Sequence, residues 1–290
     1  NLNKLNLINL SNIIHSNKVF LTFFTLIILF LSYLSIPHTF NKEEIQKELE
    51  NQLINKFSLN FVFSKKINYK FFPRPHFIVE DTSILDNEIE ISTIKKLYIF
   101  VSLDNLLSLK NISVRDIVLE NTNFNFNKKN SSFFIKLLDQ KFNEKSFTII
   151  NSKVFFHNDN QEVLFINKIL EMKYFYDPKE LKNVMISENE IFNIPYSFNS
   201  YKNEIKNKIF SKLNLNLLKL QIENELNYSD IQKKGQVYFT YNKNKSKASY
   251  EWNGDNFNFE LSDDLIDPKF FYKGNINFNP FYSNFFGNTC

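Results

Sequence analysis

An uncharged apolar run extends from Val19 to Ile36. As a helix with a rise of about 1.5 Å per residue it is roughly 27 Å long, close to the thickness of a bilayer core. The core helix of a soluble protein is the alternative, but such a helix is usually shorter and keeps one polar stripe. We therefore predict a transmembrane signal anchor over residues 19–36. Its membrane-facing side chains are expected to include Val19, Phe24, Ile28, Leu31 and Ile36.

A short linking helix is predicted over residues 41–56, between the anchor and the rest of the chain. Ile45, Leu49 and Leu53 recur every fourth residue and form one apolar stripe. Asn41 is a suitable N-cap, and Glu44 follows at the capping-box position. A helix lying on the membrane surface is the alternative, but anionic lipid would repel its acidic polar face.

From Phe57 onward, apolar residues recur at every second position, which is the period of β-strands. Asn-rich segments at residues 158–160, 242–245 and 253–255 have the composition of hairpin turns. We predict a mainly β fold after the helices: an elongated, curved antiparallel sheet with a few helical insertions. One such insertion is expected over residues 131–142, where apolar residues have helical spacing.

A sheet with one apolar face must cover that face. A compact sandwich would bury it against a second sheet, whereas an elongated sheet could curl into a groove that holds acyl chains. Alternation alone does not separate these two structures. In a groove, residues two apart on a strand would line the acyl-chain site together because they share a face. The groove candidates are Phe57, Leu59, Phe61, Phe63, Ile99, Val101, Leu213, Leu215 and Leu217.

The residues that flank the anchor predict its orientation. Lys4, His15 and Lys18 precede it without an acidic residue, whereas several acids, beginning with Glu43, follow it. Positive flanks stay in the cytoplasm, so residues 1–18 are expected to form a cytoplasmic tail. A cleaved signal peptide is disfavoured because its cleavage site needs small residues, and the chain has a single alanine, Ala248.

Composition argues against several function classes. The net charge is only +4, and Arg74 and Arg115 are the only arginines, so nucleic acid is an unfavoured partner. The 4 glycines form none of the glycine-rich motifs that bind nucleotides. Cys290 is the single cysteine, so neither an internal disulfide nor a thiolate metal site is expected.

No catalytic, cofactor-binding or metal-binding residue is predicted. The 4 histidines are far apart and lack neighbours at ligand spacing. A turn between strands explains Asp263, Asp264 and Asp267 better than calcium or glycosidase chemistry does. The lysines at residues 233–234 and 243–247 either contact anionic headgroups or form a solubilising hairpin tip. An anchored hydrolase has no supporting motif, and we expect a protein that is not an enzyme.

The order of segments after the anchor resembles the N-terminal region of AsmA-like proteins of Gram-negative bacteria. Three of that family's elements fall here on residues 73–75 (Pro-Arg-Pro), 102–107 (Ser-Leu-Asp-Asn-Leu-Leu) and 112–119. The family usually has a glycine at the start of the first sheet and another after the second element. This chain has Ser64 and Leu109-Lys110 in those places, so the likeness lies in order and spacing more than in identity.

The resemblance implies a single-pass inner-membrane protein whose residues 57–290 form a periplasmic β region, incomplete at its C-terminal end. It further implies a bridge-like lipid transfer protein that binds phospholipid acyl chains in an apolar groove and supports lipid supply to the outer membrane. The alternative is a structural factor with a closed β core that assists outer-membrane protein assembly. Membrane phospholipids, and possible envelope assembly proteins, are the expected partners.

Overall fold

The computed structural model describes residues 18–64, 67–104, 106–130, 133–134, 146–158, 160–203, 207–227, 233–253, 256–263, 270–278 and 281–289. The fold is mainly β, as predicted: 63% of the residues are in strands, which form one long, curved, unclosed sheet. Residues 1–17 of the predicted cytoplasmic tail, Asp264 and Asp267 lie outside the described residues, as does most of the helix predicted at residues 131–142. Phe133 and Phe134 of that helix are described, and both are helical.

Helix α1, Lys18–Ser35, is followed by a 3-10 turn at Ile36–Thr39. The stretch Phe20–Thr39 is long and apolar enough to cross a membrane. Most of α1 does not pack against the sheet, since Phe24, Ile28 and Leu31 are 52%, 50% and 44% exposed. Val19 lies in its first turn, and Ile36 opens the 3-10 turn, where it is half-buried.

Helix α2, Lys42–Phe57, confirms the predicted linking helix and its cap. The Asn41 side chain accepts hydrogen bonds from the backbone N–H groups of Glu43, at 2.9 Å, and Glu44, at 3.4 Å. These bonds satisfy two of the donors that the first turn of a helix leaves free. The predicted apolar stripe is buried, and Phe57 extends it by one residue.

Sixteen strands are described. They are β1 Asn60–Phe63, β2 Asn68–Lys70, β3 His76–Asp86, β4 Ile89–Val101, β5 Val114–Phe126, β6 Ser146–His157, β7 Val163–Asp177, β8 Lys182–Ile191, β9 Ile194–Asn203, β10 Lys208–Leu215, β11 Leu220–Asn227, β12 Lys233–Tyr241, β13 Asn244–Asn253, β14 Asn256–Asp263, β15 Phe270–Phe278 and β16 Phe281–Thr289.

From β3 onward each strand pairs with the next one along the chain. β1 and β2 both pair with β3, at residues 82–85 and 76–78 of that strand. The pair β5 and β6 is parallel, and every other described pair is antiparallel. The sheet is therefore mixed, not purely antiparallel as predicted. A parallel pair requires a crossover connection, which here contains Phe133 and Phe134.

The pairing registers define two faces, because residues directly opposite each other on neighbouring strands point to the same side. We call the face that carries Phe77, Leu97 and Leu119 the core face. The opposite side, which carries Lys96 and Glu120, is the outer face. Followed through every register, the core face continues from β1 to β16.

A row of left-handed residues crosses the sheet near the middle of its first strands. Asp81 on β3, Asn121 on β5 and Asn151 on β6 have φ values of 48°, 54° and 49°. The registers place them at one level, in line with Lys95 on β4. Each shifts the alternation of its strand by one position, because two consecutive residues there face outward. The strands thus keep apolar residues on the core face on both sides of the row.

Candidate functional site

Helix α2 covers the core face at the N-terminal end of the sheet. The Gln52 side-chain amide donates to the carbonyl of Ile112, and its carbonyl oxygen accepts from the backbone N–H of Val114 at 3.0 Å. Lys56 donates to the carbonyl of Val114 at 3.1 Å. Helix α2 is thereby bonded to the start of β5, and its apolar stripe packs on the core face. This end of the core face is closed.

Six of the nine groove candidates lie in this closed core. Phe57, Leu59, Phe61, Phe63, Ile99 and Val101 are between 0% and 7% exposed. Phe57 also belongs to the end of α2, so β1 begins later than the alternation predicted. Because they are buried in this core, these six side chains have no free surface for an acyl chain.

The other three candidates lie beyond the closed core. Leu213 and Leu215 are on β10, on the core face, and both are half-buried. Leu217 is not in a strand: β10 ends at Leu215, and Leu217 lies in a 3-10 turn that ends at Lys219 with φ 50°. The predicted alternation through Leu217 is therefore wrong, and its side chain is 69% exposed. The turn reverses the chain, so Leu217 cannot continue the face of the strand.

The core face of β9–β16 is predominantly apolar and only partly covered. Leu213, Ile222 and Phe239 are directly opposite one another on β10, β11 and β12. The buried hydrophobic cluster of the protein ends with Tyr174 on β7 and contains no described residue of β9–β16. The large exposed side chains at the far end of this face are Tyr241, Trp252, Tyr272 and Phe285, with exposures of 62%, 42%, 46% and 61%.

A polar belt separates the closed and open parts of the core face. Asn167, Ser187 and Asn189 on β7 and β8 are buried on this face. Tyr196 donates its hydroxyl proton to Asn167 at 2.8 Å, and Asn189 donates to Ser187 at 2.7 Å. Burial raises the pKa of Tyr196, and its bond to Asn167 partly opposes that rise. The belt is hydrogen-bonded within itself.

Aromatic side chains occupy the core face between β11 and β16. The Tyr250 ring lies over Gly235 and reaches Asn224, to which its hydroxyl donates at 2.8 Å. The Phe259 ring similarly lies over Gly274. Burial raises the pKa of Tyr250, although its bond to Asn224 acts in the opposite direction. Alternation does not predict these pairs; a glycine on an apolar strand face is the feature that could have indicated them.

A partly enclosed space in this region lies on the outer face of the sheet. It is a concavity of about 710 Å³ whose lining includes Lys208, Glu225, Lys234, Glu251 and Lys273. Lys208 pairs with Glu225, and Lys234 pairs with Glu251 at 2.7 Å. Burying acyl chains against charged groups is unfavourable, so this concavity does not fit a lipid tail. An acyl chain would instead contact the half-exposed core face.

Within the described residues, no group of three or more histidine, cysteine, aspartate or glutamate side chains is placed to bind a metal ion. His76 is buried between rings and contacts the carbonyl of Arg74 through Nδ1 at 2.7 Å. Of the lysines considered for headgroup contact, Lys245 and Lys247 lie over the ring of Tyr238 on the outer face.

The chain matches none of the protein-family models with which it was compared, and no curated protein has significant sequence similarity to it.

Proposed function

We propose that this protein is a membrane-anchored, AsmA-like lipid-binding protein that carries phospholipid acyl chains on the core face of β9–β16. One observation carries the proposal: the same apolar face is closed by α2 at one end of the sheet and left half-exposed along eight successive strands. Contiguous apolar surface of this extent on a soluble region is typical of an interaction site.

The chemistry of this face suits acyl chains. Each methylene removed from water contributes about 0.8 kcal/mol, so affinity would come from chain length. Some polar core-face groups are paired with each other, as in the contact of 3.0 Å between the hydroxyl oxygens of Ser200 and Ser211. No charged side chain of β10 or β11 shares this face, because Lys212 and Glu223 are paired on the outer face at 3.3 Å. A bound chain could therefore slide without breaking a fixed polar contact.

The proposed location follows from α1. We infer that α1 spans the inner membrane once, with the N-terminus in the cytoplasm and the β region in the periplasm, where it supports lipid supply to the outer membrane. Support comes from the exposed apolar surface of α1 and from Lys18 at its start, with Glu43 and Glu44 following it.

The experiment is in vivo photo-crosslinking at four positions. They form two neighbouring pairs of opposed residues on β10 and β11. Leu213 and Ile222 are opposite each other on the core face, while Asn214 and Gln221 are the next opposite pair, on the outer face. Phospholipid adducts are expected at Leu213 and Ile222 and not at Asn214 and Gln221. Equal lipid labelling of both pairs, or none at either, would contradict acyl binding by the core face.

A substitution provides the second readout. The double variant Leu213→Asp with Leu215→Asp puts carboxylates on the core face and should abolish phospholipid co-purification. Asn214→Asp puts one on the outer face of the same strand and should leave the lipid content unchanged. A folded double variant that retains its lipid would rule out this face as the site.

The alternative is a structural factor for outer-membrane protein assembly. It is favoured by β16, which pairs with β15 on one side and has no partner strand on the other side among the described residues. A free sheet edge can accept a strand from a partner. Protein adducts at β16, together with no lipid adducts on the core face, would favour this function.

A further inference from the structure

The last turns of α1 are bonded to two different parts of the β region. The Tyr33 hydroxyl donates to the carbonyl of Leu103 at 2.7 Å and accepts from the backbone N–H of Leu106 at 3.1 Å. The Tyr69 hydroxyl donates to the carbonyl of Leu34 at 2.8 Å. The loop between β4 and β5 is thus fixed directly beside the end of α1.

These bonds determine the depth of that loop relative to a membrane crossed by α1. Tyr33 lies inside the apolar stretch Phe20–Thr39. At a rise of about 1.5 to 2 Å per residue, it is about 10 Å before the end of that stretch. Tyrosine near the end of a spanning helix is typical of the interface between headgroups and acyl chains. A loop that is hydrogen-bonded to Tyr33 must lie at about the same depth.

The loop presents apolar side chains at that level. Leu103 and Leu107 are 49% and 68% exposed. The loop between β2 and β3 reaches the same end of the sheet, because the backbone N–H of Val101 donates to the carbonyl of Pro75 at 3.0 Å. That second loop exposes Phe72 at 78%. In water, much of the apolar surface of these side chains would be exposed.

Basic residues accompany the apolar ones. Lys70, Arg74, Lys110 and Arg115 lie in or beside these two loops, and all four are exposed. Two acids in or beside these loops pair with the arginines: Asp104 with Arg115 at 3.6 Å and Asp116 with Arg74 at 3.2 Å. Apolar tips with neighbouring cations match the apolar boundary and the phosphate groups of an anionic membrane surface.

We propose that Leu103, Leu107 and Phe72 form a second membrane contact, a foot that inserts into the headgroup–acyl boundary beside α1. The foot and α1 together hold the β region at a fixed tilt to the bilayer. The inference rests on α1 crossing the membrane, and it does not depend on lipid transfer.

The test uses the full chain with Cys290→Ser, reconstituted in vesicles of phosphatidylethanolamine and phosphatidylglycerol. A single cysteine at position 107 carries an environment-sensitive fluorophore, which lipids with a spin label near the headgroup can quench. Leu217→Cys is the matched control. Leu217 is 69% exposed, compared with 68% for Leu107, but it lies in a turn at the other end of the sheet. Phe72→Cys tests the second loop, and Phe24→Cys tests α1.

The expected result is quenching at positions 107 and 72 that exceeds quenching at position 217 severalfold. If positions 107 and 72 behave like position 217 while position 24 is protected within the bilayer, the foot is wrong and the membrane-spanning role of α1 stands. If position 24 is also water-exposed, α1 does not cross the membrane, and the foot is overturned with it. Lipid co-purification by the β region is a separate readout and is unaffected by any of these outcomes.

Discussion

The ring of Tyr250 on β13 lies directly over Gly235 on β12, at the position where any other residue would carry a side chain. A Cβ atom on Gly235 would come within 2.2 Å of the Tyr250 ring. The glycine leaves the space that lets the tyrosine ring cross β12 and reach Asn224 on β11. Gly274 and Phe259 repeat the arrangement on β15 and β14. Glycine here is required by close approach of a ring, as in other sheets where an aromatic residue covers a glycine.

Gly235→Ala should therefore destabilise the sheet by about 1–3 kcal/mol, the usual cost of overpacking. In a Tyr250→Ala background the same change should be neutral, because the clash is gone and alanine is no worse than glycine in a strand. Thermal unfolding of the four proteins, in detergent, gives the coupling between the two sites. Equal losses in both backgrounds would mean that the ring is not the obstacle.

Asn121→Val should destabilise the protein by about 1–3 kcal/mol, because a β-branched residue is strained at a φ of 54°. Asn121→Gly, which accepts this conformation, should change the stability little. Asn123→Val is the matched control, since Asn123 is an exposed residue of the same strand and has no positive φ. Unfolding midpoints distinguish the three variants, and equal effects of the two valines would contradict the requirement for a left-handed residue.

Two polar core-face residues, Thr122 and Ser152, directly follow Asn121 and Asn151 in the row of left-handed residues. Their substitution should change the stability in opposite directions. Ser152 accepts from the backbone N–H of Thr122 at 2.9 Å and donates to the carbonyl of Ile150 at 2.8 Å. The Thr122 hydroxyl, by contrast, is buried and has no hydrogen-bond partner among the residues that the structure describes. Ser152→Ala should cost about 1–3 kcal/mol, whereas Thr122→Val should be neutral or stabilising. A loss of stability in Thr122→Val would reveal a bound water that the hydroxyl contacts.

The attachment of α2 should depend on Gln52 and not on its neighbour Gln46. Gln52→Ala leaves the carbonyl of Ile112 and the N–H of Val114 without their partner, and should cost about 1–3 kcal/mol. Gln46 donates to Glu50 within α2 and makes no other hydrogen bond that is seen among the described residues, so Gln46→Ala should cost about 0.5 kcal/mol or less. Hydrogen exchange at Val114 should rise in the first variant alone. Unchanged exchange in Gln52→Ala would show that apolar packing alone holds α2.

The bond from Tyr69 to the end of α1 predicts an alkaline dependence. Burial, and secondarily the phenol of Tyr33, raise the pKa of Tyr69 from 10.0 to about 12. The folded state therefore keeps a proton on Tyr69 that the unfolded state loses above pH 10. The contribution of protonated Tyr69 to the free energy of unfolding is thus present below pH 10 and is lost as the pH rises towards 12. The stability difference between wild type and Tyr69→Phe should shrink over that range, and the titrations of groups that do not interact with Tyr69 cancel in the difference. A constant difference would contradict the raised pKa.

Much of the fold could be predicted from the sequence because the relevant interactions are local. The cap at Asn41 and the stripe from Ile45 to Leu53 predicted α2 correctly, and strict alternation identified most of the sheet. The candidate site was harder to predict. Phe57 and Phe61 alternate as Leu213 and Leu215 do, yet a helix covers the first pair and leaves the second half-exposed. Alternation reports which residues share a face, and not what lies against that face.

By itself, the sequence determined the apolar helix, the capped linker and the predominance of strands, since helix length, capping and period are properties of neighbouring residues. Only the tertiary structure decided the parallel pairing of β5 with β6, the alignment of Asp81, Asn121 and Asn151 in one row, and the end of β10 at Leu215. Each of these depends on registers between segments distant in the chain. The same residues could alternate in any register, and the burial of apolar side chains on one face favours the one that forms.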